Sequence, residues 1–254
     1  MKFFSAITVV HNRKDSIERS IKSVLNQSYK DFEYFIVDSN STDGTSDIIS
    51  SITKGDSRVK HIRENDSGIY DAINKGIRFS KGKYICLIHS DDYLPRNDIF
   101  LNVNKNLSNE GIDILYGKAS YFKKKNGKEI HKRIYSYDKL DIDSLSSGFM
   151  PCHTSMFIRR EIFMNYGLYN TNFKIASDYE FLIRVIKEGL IKSKFIDEIM
   201  IHMQLGGIST DGLKSFFLLN KEVKEAGKIN NINISYLTLA TKYLTKIREF
   251  FSLG

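Results

Sequence analysis

Cysteine, proline and tryptophan are scarce in this chain: two cysteines, two prolines and no tryptophan among 254 residues. Cys86 and Cys152 make no disulfide framework and suit a reducing cytoplasm. Cys86 sits inside the apolar run 84–88 and reads as a core residue. Pro95 and Pro151 are far apart, and no Gly/Ser-rich linker interrupts the chain, so no hinge between independent domains is expected. No apolar run reaches the ~18 residues of a membrane-spanning helix. The opening MKFFSAITVVHNRKDS has a short apolar stretch and no small-residue cleavage site. It reads as a buried strand, not as a signal peptide. Glycine-rich nucleotide motifs are missing too. No G-x-G-x-x-G follows the first strand, and there is no G-x-x-x-x-G-K-[ST]. A nucleotide here would be held by a metal and side chains.

What is present is ample apolar sequence and a net charge of +8, with 41% hydrophobic residues. That composition supports a folded core and argues against disorder. The charge is unevenly placed. Residues 1–120 carry 17 basic and 16 acidic side chains, and residues 141–212 carry 7 and 9. The surplus lies in residues 121–140, with 7 basic against 2 acidic, and in 213–254, with 7 against 3. A nucleic-acid binder would be basic across its working face, so nucleic acid is not the expected partner.

The first half alternates apolar strands with amphipathic helices, the pattern of a parallel sheet covered on both faces. Strands are expected at 3–10, 32–37, 59–62 and 84–88. Asp15 and Glu18 form an apparent capping box before a helix carrying Ile17, Ile21, Val24 and Leu25. Later strands are expected at 112–116, 154–158 and 195–201, with a helix at 178–187. Asn126-Gly127 inside YFKKKNGKEIHKRIYSY signals a hairpin. The segment from 213 onward reads as two helices split near 227–233.

Ligands bind beyond the carboxyl ends of strands in an open parallel sheet. Here those ends carry His11-Asn12-Arg13, Asp38-Ser39 and His89-Ser90-Asp91-Asp92. Adjacent carboxylates repel unless a cation or donors compensate, which suits Mg²⁺ or Mn²⁺. Asp38 also opens the turn-forming run Asp-Ser-Asn-Ser-Thr-Asp-Gly.

Four stretches together resemble a family-2 glycosyltransferase of the GT-A fold. They are SAITVVHNRKDSIERSIKSVLNQSYKDFEYFIVDSNSTDGT, ENDSGIYDAINKGIRFSKGKYICLIHSDD, PCHTSMFIRREIF and IASDYEFLIRV, and they span residues 5 to about 186. The resemblance implies an α/β fold. A Rossmann-like, mostly parallel central sheet would be flanked by helices, beside a smaller mixed acceptor-side sheet and C-terminal helices. It implies a catalytic domain over 1–212, divided into a nucleotide-sugar half (1–92) and an acceptor half (93–212). Residues 213–254 would be a helical tail. It also implies inverting transfer from a UDP-sugar to a glycan hydroxyl, with the acceptor linked to a polyprenyl diphosphate. Asp178 would be the catalytic base. Asp38, Thr8, His11, Arg13, Gly68, Asp71, Asn74 and Asp91 would line the nucleotide-sugar site. Asp92 would bind Mn²⁺ or Mg²⁺, and His153 and His202 would meet the acceptor or diphosphate. Ser90 replaces the first aspartate of a strict D-x-D, which leaves fewer protein ligands for the metal.

The basic, aromatic tail fits either helices packed on the core or an anionic membrane surface. The expected location is cytoplasmic, at the inner face of the membrane. Two other functions fit the sequence less well. A nucleotidyltransferase usually carries a glycine-rich loop after strand one, and 11–15 contains no glycine. A noncatalytic binding module has no need for Asp38, Asp91, Asp92 and Asp178 together.

Overall fold

The computed structural model describes residues 2–108, 111–206, 212–235 and 239. In chain order the elements begin with β1 (Phe4–Val10), α1 (Ile17–Leu25), β2 (Phe32–Asp38), α2 (Thr45–Thr53), β3 (Val59–Arg63), α3 (Ile69–Phe79), β4 (Tyr84–Leu87) and α4 (Ile99–Leu107). They continue with β5 (Ile114–Lys125), β6 (Lys128–Tyr135), α5 (Ile142–Ser146), β7 (Met156–Arg159), α6 (Arg160–Tyr166), α7 (Ser177–Ile186), β8 (Ser193–Gln204) and α8 (Gly212–Ile229).

β1 is wholly apolar apart from Ser5 and Thr8, and every residue of it is buried. Such a strand needs cover on both faces. It lies centrally, parallel to β2 on one side and β4 on the other, and β3 extends the parallel set beyond β2. Ile7 and Val9 point into one core with Phe35, Val37, Ile73, Ile77 and helix α7. Phe4, Ala6 and Val10 point into the other, with Ile17, Ile21 and Val24 of α1 and Phe100 and Val103 of α4. Burying each such side chain contributes roughly 1.5–3 kcal/mol. Gly76 lets α3 lie close on the sheet, since a Cβ there would come within 2.6 Å of Ile7.

Beyond β4 the sheet changes character. β7 runs antiparallel to β4 and to β5. β5 also pairs antiparallel with β6 and parallel with β8. The expected smaller mixed region on the acceptor side is continuous with the parallel half, in one eight-stranded sheet of order β3-β2-β1-β4-β7-β5-β6 with β8 on β5. The β5–β6 hairpin turns at Asn126 and Gly127, at φ 52° and 73°, as the Asn-Gly signal requires.

Two local expectations need correction. Asp15 does not cap α1; Ser16 holds the cap position without a side-chain capping hydrogen bond, and the Arg13 carbonyl accepts from the amides of Ser16 and Ile17. Thr154 belongs to a short 3-10 turn (His153–Ser155) before β7, not to the strand. The first tail helix packs on the core: Val223 and Ala226 of α8 are buried, as are Ile234 and Leu239 beyond it. The second expected tail helix, with Lys242, Lys246 and Arg248, falls outside the described residues.

Candidate active site

β1, β2 and β4 present their carboxyl ends where the strand order reverses. β1 and β2 leave the sheet through left-handed asparagines, Asn12 at φ 52° and Asn40 at φ 47°, which asparagine tolerates better than most residues. The loops are stitched together. The Asn12 side chain accepts from Thr42 N at 2.9 Å, and the Arg13 amide donates to Thr45 Oγ1 at 2.8 Å. His11 Nδ1 lies 2.8 Å from the Ser39 carbonyl. His11 and the Arg13 guanidinium are exposed at this edge.

Asp38 is fully buried at the end of β2. It accepts from Ser41 N at 2.9 Å and from the Ser46 hydroxyl, with His61 Nε2 at 3.6 Å and Arg63 Nε at 3.8 Å. Burial alone would raise its pKa. The hydrogen bonds from Ser41 and Ser46, with His61 nearby, outweigh burial and hold it below the ordinary carboxylate value. Both oxygens are therefore engaged in shaping the 38–46 loop.

Asp92, after β4, is the opposite case. It is 2% exposed. One oxygen accepts from Gln204 N at 3.0 Å. The other is buried with no hydrogen-bond partner. Burial, and then the repulsion of Asp91, push its pKa well above the usual range. Among the described residues no three His, Cys, Asp or Glu side chains gather as a metal site. A cation here would take one orphaned carboxylate oxygen from the protein and its other ligands from phosphate and water, which Mg²⁺-type sites allow. The donor set fits that role. His202 sits one bridge away, pairing with Tyr93, its ring 4.9 Å from the Tyr93 ring and 4.7 Å from the His131 ring. Burial, then His131, bring His202 down to about 4.

Asp178 is the second residue of α7, so it is not the helix cap; Ala176 is. Its Oδ1 accepts from Tyr179 N at 2.9 Å and lies 3.2 Å from the Tyr70 hydroxyl. Its Oδ2 faces His153 Nδ1 at 3.6 Å. Burial pushes Asp178 up to about 6, against the hydrogen bonds from Tyr179 N and Tyr70 and the pull of His89. Burial brings His153 down to about 4, and burial followed by His153 brings His89 to about 4. Both imidazoles are therefore neutral at pH 7 beside a carboxylate that is mostly ionised there. A crevice beside Asp178 is lined by His153, Met156, Ile158, Tyr169, Phe181 and Leu182.

The remaining expected residues divide. Gly68 caps α3 at φ 136°, a conformation that favours glycine. Asp71 follows it, accepting from Ser67 N at 3.0 Å, with Lys75 at 3.7 Å. That amide, with Lys75, lowers the Asp71 pKa despite partial burial. Asp91 is partly exposed next to Asp92. Thr8 and Asn74 turn their polar atoms into the frame. The Thr8 hydroxyl is 0% exposed and sits 2.7 Å from both Tyr34 Oη and the Ile88 carbonyl, tying three strands. The Asn74 amide clamps the Tyr169 backbone, donating to its carbonyl at 2.8 Å and accepting from its amide at 3.0 Å.

Two participants escaped the sequence reading. Tyr70 sits inside GIYDAINKG and reads there only as an apolar helix face. Glu222 of α8 accepts from the amides of Lys174, Ile175 and Ala176 at 2.8, 2.8 and 2.9 Å. No local motif marks it.

Comparison with known proteins follows the same lines. The profile of the family described as Glycosyl transferase family 2 matches residues 5–167. The PGL/p-HBAD biosynthesis glycosyltransferase of Mycobacterium tuberculosis is 27% identical over 222 residues, covering 85% of this chain and 82% of that one. The Escherichia coli UDP-Glc:alpha-D-GlcNAc-diphosphoundecaprenol beta-1,3-glucosyltransferase WfaP is 42% identical over 94 residues, 37% of each chain. The crystal structure of S. aureus TarS in complex with UDP-GlcNAc superposes with a TM-score of 0.70 at 18% identity, covering 95% of this chain and 71% of that one. At that identity the likeness speaks to the fold, which is GT-A.

Proposed function

Since the chain belongs to glycosyl transferase family 2, we propose that this glycosyltransferase moves a sugar, with inversion, from a UDP-sugar to a hydroxyl of a polyprenyl-diphosphate-linked glycan. The observation that carries the mechanism is the pair of incompletely satisfied carboxylates, buried Asp92 and partly buried Asp178. The donor class is supported by the TarS complex with UDP-GlcNAc and by the donor in WfaP's name. The acceptor class is supported by the diphosphoundecaprenol in that same name.

The acceptor hydroxyl is a weak nucleophile until a base takes its proton during attack. Asp178 accepts that proton as the hydroxyl oxygen bonds the anomeric carbon from the face opposite the leaving group. The bond to the diphosphate breaks, UDP departs, and the configuration inverts. One carboxylate suffices because no glycosyl-enzyme bond forms. A value of about 6 leaves Asp178 ionised at neutral pH yet basic enough to share the proton. A divalent cation, Mn²⁺ or Mg²⁺, held by Asp92 would supply positive charge to the departing diphosphate.

His11, Arg13, Gly68, Asp71 and Asp91 surround the nucleotide-sugar, and Asp38 shapes the loop beneath the uridine. Thr8 and Asn74 hold the frame. His153 lies on the acceptor side, and His202 on the diphosphate side. Residues 1–92 carry the donor and 93–212 face the acceptor, with 213–254 as the helical tail.

An anionic lipid surface suits the acceptor. No helix among the described residues is long and apolar enough to cross a membrane. The β5–β6 hairpin carries Lys123, Lys124, Lys125, Lys128, Lys132 and Arg133, with Ile130 39% and Ile134 57% exposed, and Phe217 of α8 is 68% exposed. The test is a UDP-sugar screen with Mn²⁺ and a short polyprenyl-diphosphate-sugar acceptor in vesicles. Expected is UDP release with glycan extension, abolished by chelator and faster on anionic than on neutral vesicles. Transfer that ignores chelator would remove the role given to Asp92. Equal rates on both vesicles would remove the surface.

A further inference from the structure

Glu222 is 8% exposed, and its carboxylate is turned onto three consecutive backbone amides, those of Lys174, Ile175 and Ala176. This is an anion nest supplied by a side chain from another element. These amides belong to the stretch that enters α7 two residues before Asp178. The Ile175 carbonyl accepts from the Tyr70 hydroxyl at 2.6 Å, and the same hydroxyl lies 3.2 Å from Asp178 Oδ1. Tyr70 has one hydrogen for two acceptors. The shorter contact gives the larger share to Ile175, so Asp178 receives only part of it. A carboxylate with a weaker donor is a stronger base.

From this connectivity we infer that Glu222 is a positioning residue for the reaction: it fixes the 174–176 backbone so that the Ile175 carbonyl restrains Tyr70 against Asp178. The inference rests on Asp178 being the base. Glu222 touches neither substrate nor the reacting atoms. Its effect passes through one peptide unit and one phenol.

The groups facing Asp178 are Tyr70 from α3, His89 after β4, His153 from the turn before β7, and Tyr169 from the segment before α7. Further along α7, Glu180 pairs with Arg184 and accepts from Asn230 at 3.2 Å. Only the Tyr70 link runs through the peptide that Glu222 holds. When that hold is lost, Tyr70 is free to give its full hydrogen bond to Asp178, and water gains access to the loop. Both changes favour the ionised carboxylate, so both lower its pKa.

The experiment is carboxyl NMR titration of the full chain labelled at aspartate, with the Asp178 signal assigned by its loss in Asp178→Asn. In Glu222→Gln, the single carboxamide oxygen can serve Ile175 and Ala176, but the NH2 group then faces the Lys174 N–H and the charge is gone, which loosens the nest. Its Asp178 midpoint is expected to fall from near 6 by about half a unit or more. In the transfer assay kcat is expected to drop roughly tenfold or more, with donor KM unchanged. Glu222→Asp, which keeps the charge, is expected to recover part of both. An unmoved Asp178 midpoint in folded Glu222→Gln overturns the inference. Should Glu222→Gln fail to fold, Tyr70→Phe reads the link from its other end. Loss of the phenol donor is expected to raise the midpoint, and an unmoved midpoint there overturns the inference. Failure of the base assignment looks different: Asp178→Asn would turn over fully while the titration shifts persisted.

Discussion

Asp38 and Asp92 are buried carboxylates and Asp178 a partly buried one, yet Asp38 and the other two meet opposite surroundings. At the end of β2, Asp38 is met by Ser41, Ser46, His61 and Arg63, and its pKa falls. Across the groove Asp92 keeps one oxygen without a partner, Asp178 has two donors and a neutral histidine, and both pKa values rise. The protein completes the first carboxylate itself. It leaves the other two for something that arrives. A satisfied buried charge holds a loop, whereas an unsatisfied one stores chemical potential for binding or proton transfer.

The comparison breaks most visibly at Asp178. Asp178→Asn keeps the shape and removes the base, so kcat is expected to fall by roughly 10²–10⁴ while the melting temperature at neutral pH holds or rises, since the folded pKa of Asp178 is raised. In the wild type, activity should climb as pH rises through about 6. Full turnover by the variant would separate the raised pKa from the chemistry.

Asp92→Asn should split activity from stability. Transfer is expected to fall by roughly 10²-fold, in the range seen when one charge-stabilising group is lost, and dependence on added Mn²⁺ should vanish. The melting temperature should rise, because the variant removes a buried, repelled charge while sparing the Gln204 contact. The sign follows from linkage. The folded pKa of Asp92 is raised, so its ionisation erodes stability as pH climbs above the unfolded value of about 4. Differential scanning calorimetry across pH would show that slope in the wild type and its loss in the variant. A lower melting temperature in Asp92→Asn would mean the orphaned oxygen is satisfied after all.

The smallest effect belongs to the satisfied side. Ser46→Ala should cost about 1–3 kcal/mol by leaving one Asp38 oxygen short of a donor. The folded pKa of Asp38 is depressed, so its stabilisation is present above the unfolded value of about 4 and is lost as pH falls through the folded value. The variant should therefore unfold at a higher pH during acid titration. If Ser46→Ala instead raised donor KM with no loss of stability, Asp38 would belong with the other two.

The positions of these three carboxylates were legible in the sequence, but not the division between them. Apolar runs closed by aspartates located the strand ends, and family motifs placed Asp92 and Asp178 in order along the chain. What a motif does not carry is where a side chain points. Thr8 and Asn74 occupy motif positions, yet their polar atoms close onto Tyr34, Ile88 and Tyr169 inside the frame. Asp15 has the spacing of a capping box, but the backbone enters α1 by a turn at Arg13 that leaves Ser16 in the cap position. Glu222 had no signature at all. Its partners lie 46 to 48 residues upstream, and a lone glutamate between Lys221 and Val223 reads as an ordinary helix surface.

The three amide contacts of Glu222 also bear on how the enzyme fails. Beside the packing of Val223 and Ala226, they join α8 to the stretch entering α7 across a long run of chain, whereas the central strands are held by continuous ladders on both sides. Segments tied by a few distant contacts open at lower free energy than ladder-bound ones. On warming, the protein should therefore fall silent while its sheet is still intact, with α8 drifting first and the base losing its seat before the fold is lost.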